Sequence, residues 1–336
     1  MVTDMILNET LPGLGLIPED LRGDLIELDC AGDGAWQRGR DGVRAIFTPL
    51  DRKVEFIVFA DKTLALVKSA MGYPAIYPLP CPRFEPPAEA VLMDLDGTSV
   101  RSEEFWIWII EQTTARLLGD PGFTLEGEDM PHVSGHSVSE HLQYCIAKYC
   151  PDKTVEEARR HYFDITHHEL AEIMAGRGRA GAFKPVAGLK EFLLELKAHG
   201  VRIGLVTSGL YEKAWPEILS AFRTLNLGDP LDFYDASISA GFAIRKGQVG
   251  TLGELEPKPH PWLYAETARV GLGITPDRRH RVVGMEDSGA GVVAVRLAGF
   301  ACIGLGGGNI VQSGVRPLLT ASCETLEQAL PLILGR

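Results

Sequence analysis

A chain of 336 residues exceeds the usual size of one domain, and with 45% hydrophobic and 23% charged residues it has a globular composition, which excludes global disorder. Its net charge of −12, with no basic run to offset it, argues against nucleic acid as a partner. No basic n-region with an apolar stretch opens the chain, no 18-residue apolar run occurs, and the six cysteines form no C-x-x-C pair, so a cytoplasmic protein with reduced thiols and no membrane partner is expected.

Residues 43–47, 54–60 and 64–67 are short β-prone runs separated by Asp51-Arg52 and Asp61-Lys62, the pattern of a small antiparallel meander. Six prolines then fall within residues 74–87, where they oppose helix and any central strand and mark a boundary. Residues 1–87 are therefore delimited as an N-terminal, β-rich module ending in a Pro-rich linker. No residue in it belongs to a site motif, and its expected role is docking or homodimerisation.

Downstream, apolar runs at 90–93, 202–206, 236–239, 281–285 and 301–305 alternate with amphipathic helices, which predicts an α/β fold with a doubly wound parallel sheet. Over residues 188–199 a helix is predicted from Leu189, Phe192, Leu193 and Leu196 at i, i+3, i+4, i+7, with Gly200 as its stop. Between the first two strands, residues 99–184 read as an inserted helical module. Ser102 is placed to cap a helix beginning Glu103-Glu104, and Ser137-Val138-Ser139-Glu140 and Thr154-Val155-Glu156-Glu157 fit the capping box. The core is accordingly assigned to residues 88–98 and 185–336, and the cap to 99–184.

The chemistry is concentrated at strand ends. Val91-Leu92-Met93 runs into Asp94-Leu95-Asp96-Gly97-Thr98, which sets two carboxylates at i and i+2 just beyond a buried strand, where Gly97 permits a sharp turn. The turn lets Asp96 reach a different part of the site from Asp94, so that one carboxylate can attack while the other handles a proton.

This D-x-D-G-T after a hydrophobic strand resembles the first motif of the haloacid dehalogenase superfamily, and three further segments resemble its other motifs in order. Leu205-Val206-Thr207-Ser208-Gly209 resembles the second, Lys258-Pro259-His260-Pro261 the third, and Val282-Val283-Gly284-Met285-Glu286-Asp287-Ser288 the fourth. The resemblance implies that Thr207, with Ser208 beside it, binds the transferring phosphoryl group. It implies that Lys258 steadies the nucleophile and the phosphoryl oxygens. It also implies Mg2+ held by Asp94, the Asp96 backbone carbonyl and Asp287, with Glu286 coordinating directly or through water.

The implied reaction is attack of Asp94 on phosphorus to give an aspartyl phosphate, with Asp96 as acid and then base. Dehalogenases of the superfamily lack the second aspartate, so Asp96 points to phosphoryl transfer. The helical insert resembles the cap of the β-phosphoglucomutase and phosphoglycolate phosphatase branch. His136 in Ser134-Gly135-His136-Ser137 matches the cap loop that contacts substrate there. The motif continues Ser99-Val100-Arg101-Ser102 where many relatives carry Leu first and Asp third, and the connection at 241–257, with Arg245-Lys246-Gly247-Gln248, is longer than usual.

Other signals read more plainly. Gly289-Ala290-Gly291-Val292-Val293-Ala294 matches G-x-G-x-x-A, but no acidic residue ends the next strand to bind a ribose, so helix packing explains it. His132, His141, His161, His167 and His168 fit no zinc spacing. Phe105, Trp106 and Trp108 read as cap core, and Arg177, Arg179 and Lys184 as a solvated hinge or a basic lip. Around Ser137 to Lys148 the cap shows no clear Schiff-base lysine, Lys148 being the candidate there. The expected function is a Mg2+-dependent phosphatase acting on a small phosphorylated metabolite. The alternatives are a sugar phosphomutase with the same motifs and a noncatalytic binding protein.

Overall fold

The protein is described here by a computed structural model covering residues 6–68, 74–133, 138–179, 181–239, 242–243 and 256–336. His136 and the segment containing Arg245-Lys246-Gly247-Gln248 lie outside the described residues, as does Ser137 of one predicted capping box. Two compact units are formed, one from Met1–Ser99, Val186–Ala214 and Leu227–Arg336, the other from Val100–Pro185 and Trp215–Asn226.

The first unit holds two sheets. Strands β1 (Leu25–Glu27), β2 (Ala45–Pro49), β3 (Val54–Val58), β4 (Thr63–Val67) and β5 (Ala75–Pro78) form an antiparallel meander in sequence order. The three predicted runs are its centre. β5 begins inside the Pro-rich segment, and it is tolerated there because it is an edge strand that needs to bond on one side only.

The second sheet contains β6 (Ala90–Asp94), β9 (Arg202–Thr207), β10 (Ala236–Ser239), β11 (Phe242–Ala243), β12 (Val282–Glu286), β13 (Ala301–Leu305) and β14 (Ala321–Cys323), in the order β11-β10-β9-β6-β12-β13-β14. All neighbours are parallel except the edge hairpin β10–β11. Every residue of β6, β12 and β13 is buried, which is why these strands are unbroken apolar runs. The predicted helix is present as Leu189–Ala198, with Leu189, Phe192, Leu193 and Leu196 buried as its spacing requires.

The N-terminal sheet does not stand apart from this core. Phe47, Phe56, Val67 and Leu79 belong to one hydrophobic cluster with Val292, Val295, Phe300 and Leu318. Each such side chain contributes roughly 1.5–3 kcal/mol by leaving water. Arg296, 2% exposed, ties the layers together: its guanidinium donates to Leu318 O at 2.6 Å, Gly13 O at 2.8 Å and Pro80 O at 3.3 Å. Arg296→Ala would orphan these carbonyls and leave a cavity, and an unfolding titration should show a loss of roughly 2–5 kcal/mol. An unchanged midpoint would remove Arg296 from this role.

The second unit is mainly helical: Glu103–Leu118, Val138–Tyr149 and Val155–Met174, with β7 (Val100–Arg101) paired to β8 (Lys184–Pro185). It also takes in Trp215–Asn226, which the sequence reading assigned to the core. Thr154 caps its helix as expected, accepting from Glu157 N at 3.2 Å. Ser102 does not: the helix starts at Glu103, but Ser102 has helical φ and ψ and its hydroxyl makes no capping bond.

Phe105 is buried against Trp106, Trp108 and Phe183 within this unit. The basic residues are internally engaged, Arg177 with Glu172 at 2.8 Å, Lys184 with Glu104 at 3.0 Å and Arg179 over the Trp108 ring at 4.7 Å. Lys148 is held by Glu128 at 2.6 Å and Asp129 at 2.7 Å. Hydrogen bonds from Lys148 to these carboxylates raise its pKa, so it stays an ammonium ion and cannot serve as a Schiff-base nucleophile.

Candidate active site

Parallel register brings the motif residues together. Asp94 of β6 lies opposite Val206 of β9, and Met93 opposite Met285 of β12, so Asp94, Thr207 and Glu286 end three adjacent strands on the same edge. That edge, at the carboxyl ends of the strands, is where open α/β sheets bind ligands.

Asp94 is buried, and the Lys258 ammonium is hydrogen-bonded to its Oδ1. The same ammonium lies 2.6 Å from Glu286 Oε1, which also accepts from the Tyr264 hydroxyl. Glu286 Oε2 accepts from the Ser288 hydroxyl at 3.0 Å, while Ser288 Oγ accepts from Gly291 N at 3.1 Å and caps the helix Gly289–Leu297. A Cβ at Gly291 would lie 1.9 Å from the Glu286 carboxylate, so the small residues of that segment serve close packing on the site and not a dinucleotide.

Asp287 Oδ1 accepts from Thr98 Oγ1 at 3.2 Å, and the Asp287 carbonyl accepts from Asn309 N at 3.0 Å. Gly97, at φ +80°, is required twice over: its backbone is left-handed, and a Cβ there would lie 1.9 Å from Asp287 Oδ2. Ser99 Oγ donates to Asp94 O at 2.6 Å and closes the turn after the strand.

Asp96 points elsewhere than the buried cluster, partly exposed, with Lys213 Nζ 3.7 Å from its Oδ1. Thr207 Oγ1 accepts from Gly209 N at 2.9 Å, leaving its hydroxyl hydrogen to donate. Ser208 Oγ accepts from Lys258 N at 3.0 Å and so anchors the Lys258 turn.

The electrostatics are unbalanced. Oxygens of Asp94, Glu286 and Asp287 all lie within 4.8 Å of one another, against one ammonium. Burial, with the Glu286 charge next, raises Asp94 well above the carboxylate range and pushes Asp287 up to about 7. Burial alone would lower Lys258, but Asp94 and Glu286 outweigh it and hold the amine charged. Buried hard oxygen donors with surplus negative charge fit a divalent cation such as Mg2+. Glu286 already serves Lys258, Tyr264 and Ser288, so Asp94 and Asp287 are the better placed to bind metal.

Among the residues named from sequence, Asp94, Asp96, Thr207, Ser208, Lys258, Glu286 and Asp287 all lie in the same compact unit. Tyr264, Lys213, Thr98 and Ser99 were not singled out. Thr98 sits inside the first motif and could have been, whereas Tyr264, on the helix Trp262–Glu266, belongs to no motif.

A parallel α/β sheet carries an aspartate at one strand end, a hydroxyl residue and an acidic pair at its neighbours' ends, and a lysine ion-paired among them, the arrangement expected from the resemblance to haloacid dehalogenase-like hydrolases. The family model described as haloacid dehalogenase-like hydrolase matches residues 91–230. The chain is 28% identical over 221 residues, 65% of this chain and 85% of the relative, to validoxylamine A 7'-phosphate phosphatase of Streptomyces hygroscopicus subsp. limoneus.

Its fold is similar to that of CbbY from Rhodobacter sphaeroides in complex with phosphate, with TM-score 0.53 and 19% identity over 74% of this chain and 100% of that one. It is likewise similar to a HAD-superfamily hydrolase, subfamily IA, variant 1, from Geobacter sulfurreducens PCA, with TM-score 0.53 and 17% identity over 75% of this chain and 99% of that one. No helix among the described residues is long and apolar enough to cross a membrane.

Proposed function

We propose that the protein is a Mg2+-dependent phosphatase that hydrolyses a small phosphorylated metabolite through an aspartyl phosphate on Asp94. The observation that carries this reading is the Lys258 ammonium held between Asp94 and Glu286 inside a buried carboxylate cluster. An arrangement of that kind repels a phosphate dianion unless a cation is added, and then directs a carboxylate oxygen at phosphorus. Support for the substrate class comes from the relatives: one is named a validoxylamine A 7'-phosphate phosphatase, and a mutant of CbbY is described in complex with xylulose-(1,5)bisphosphate.

Asp94, Asp287 and the Asp96 carbonyl would hold Mg2+, with Glu286 beside them, and the ion would supply positive charge to offset the substrate's. An Asp94 carboxylate oxygen bonds to phosphorus as the bond to the leaving oxygen breaks, and Asp96 gives that oxygen a proton. Water then attacks the acyl phosphate, Asp96 takes its proton, and Asp94 and phosphate are released. Thr207 donates to a phosphoryl oxygen and Lys258 adds a point charge. Six free thiols support a reducing, cytoplasmic setting.

Phosphate release from an aryl phosphate should require Mg2+ and stop in chelator. In Asp287→Ala the Mg2+ concentration giving half activity should rise at least about tenfold. Full activity in chelator would refute the reading, and an unchanged metal midpoint would take Asp287 out of the ligand set.

A further inference from the structure

The turn that carries Lys258 has little backbone of its own to hold it. Pro259 and Pro261 lack N–H groups, so only Lys258 N and His260 N can donate, to Ser208 Oγ at 3.0 Å and Pro257 O at 3.1 Å. Beyond the Pro261 carbonyl, which accepts from Ala265 N at 2.9 Å, and the Lys258 ion pairs, a further hold comes from the N-terminal sheet. Tyr77, in β5 opposite Ala65 of β4, shares a hydrogen bond of 2.7 Å with His260 Nδ1.

The His260 and Trp262 rings meet Tyr77 edge-on at 5.7 and 6.1 Å. Tyr77 thus spans the two residues flanking Pro261. His260 is 3% exposed, and its Nε2 makes no hydrogen bond, so Tyr77 is the polar anchor of this imidazole among the described residues. Burial raises the phenol's pKa and lowers the imidazole's, so the pair is neutral near pH 7.

We propose that Tyr77 is a positioning residue for catalysis: through His260 it fixes the Lys258-Pro259-His260-Pro261 turn and thereby the Lys258 ammonium between Asp94 and Glu286. The inference rests on the phosphatase reading of the site. It gives residues 1–87 a part in the chemistry although none of them carries a motif. A lysine has a long flexible stem, so its ammonium is placed only as well as its Cα, and displacement of a reacting group by a fraction of an ångström is enough to slow turnover.

The test is Tyr77→Phe in the full chain, which keeps the ring and removes the hydroxyl. For an aryl phosphate with saturating Mg2+, kcat should fall about 3- to 10-fold while KM stays within about twofold. Amide hydrogen exchange should quicken over residues 256–266 and stay unchanged in β2, β3 and β4. His260→Ala should cause a similar loss, and the double variant little more, because both act through one contact.

Unchanged kcat in Tyr77→Phe would overturn the proposal. So would additive losses with faster exchange throughout the N-terminal sheet, the mark of a merely structural role. Were the unmodified protein to release no phosphate, the functional reading would fail. Exchange over residues 256–266 would still decide the tether, and an unaltered rate there would overturn it.

Discussion

Asp94→Asn is expected to lower turnover of an aryl phosphate by about 10^3- to 10^6-fold, the range in which removal of an attacking group falls. The amide is nearly isosteric, but it is a poor nucleophile and removes one negative donor from the proposed cation site. The fold should not suffer. Burial and the neighbouring Glu286 raise the Asp94 pKa in the folded state, so its ionised form is disfavoured there and costs stability at any pH above that raised value. Asn removes this cost. Lys258 keeps Glu286 at 2.6 Å as a partner, so no ammonium is stranded. Without metal, the variant should melt at or above the temperature of the unmodified protein. A steady-state assay and a thermal melt check both halves, and activity above about a hundredth of the original would place the nucleophile elsewhere.

That opposition between stability and activity explains why the site was so readable. The charged groups gathered beside the strand ends serve no packing purpose, and the order of the four motifs along the chain, three of them after an apolar strand, is visible without coordinates. The parallel strands were equally visible because burial on both faces forces continuous apolar runs, as in β6, β12 and β13. What sequence could not show depends on contacts between distant elements. Tyr264 meets Glu286, and Lys213 approaches Asp96, only after the sheet has formed.

The three-residue β1 is too short to show alternation, and β5 was hidden by prolines that an edge strand tolerates. Ser102 looked like a cap because its residue type and position were right, yet its backbone conformation turns the hydroxyl away from that task. Docking or dimerisation was the expectation for residues 1–87 because motif matching sees only reacting groups, and a tether such as Tyr77 to His260 has none.

Asp96→Asn should slow the enzyme by an amount that depends on the leaving group. Asp96 is spared the buried cluster and is partly exposed beside Lys213, a setting suited to exchanging protons with a leaving oxygen and then with water. Loss of a positioned acid typically costs 10^2- to 10^4-fold, and an alkyl phosphate, whose alkoxide must be protonated as it departs, should lose about that much. An aryl phosphate with a weakly basic phenolate needs little protonation, so formation of the aspartyl phosphate should fall by only about tenfold or less. Its hydrolysis should still be slow, because in the proposed mechanism Asp96 also takes a proton from water. The variant should therefore show a burst of phenolate equal to the enzyme present, followed by a slow steady state. Rapid mixing with both substrates separates the steps. Equal losses on the two substrates would remove Asp96 from the acid role, and a steady state as fast as the burst would remove it from the base role.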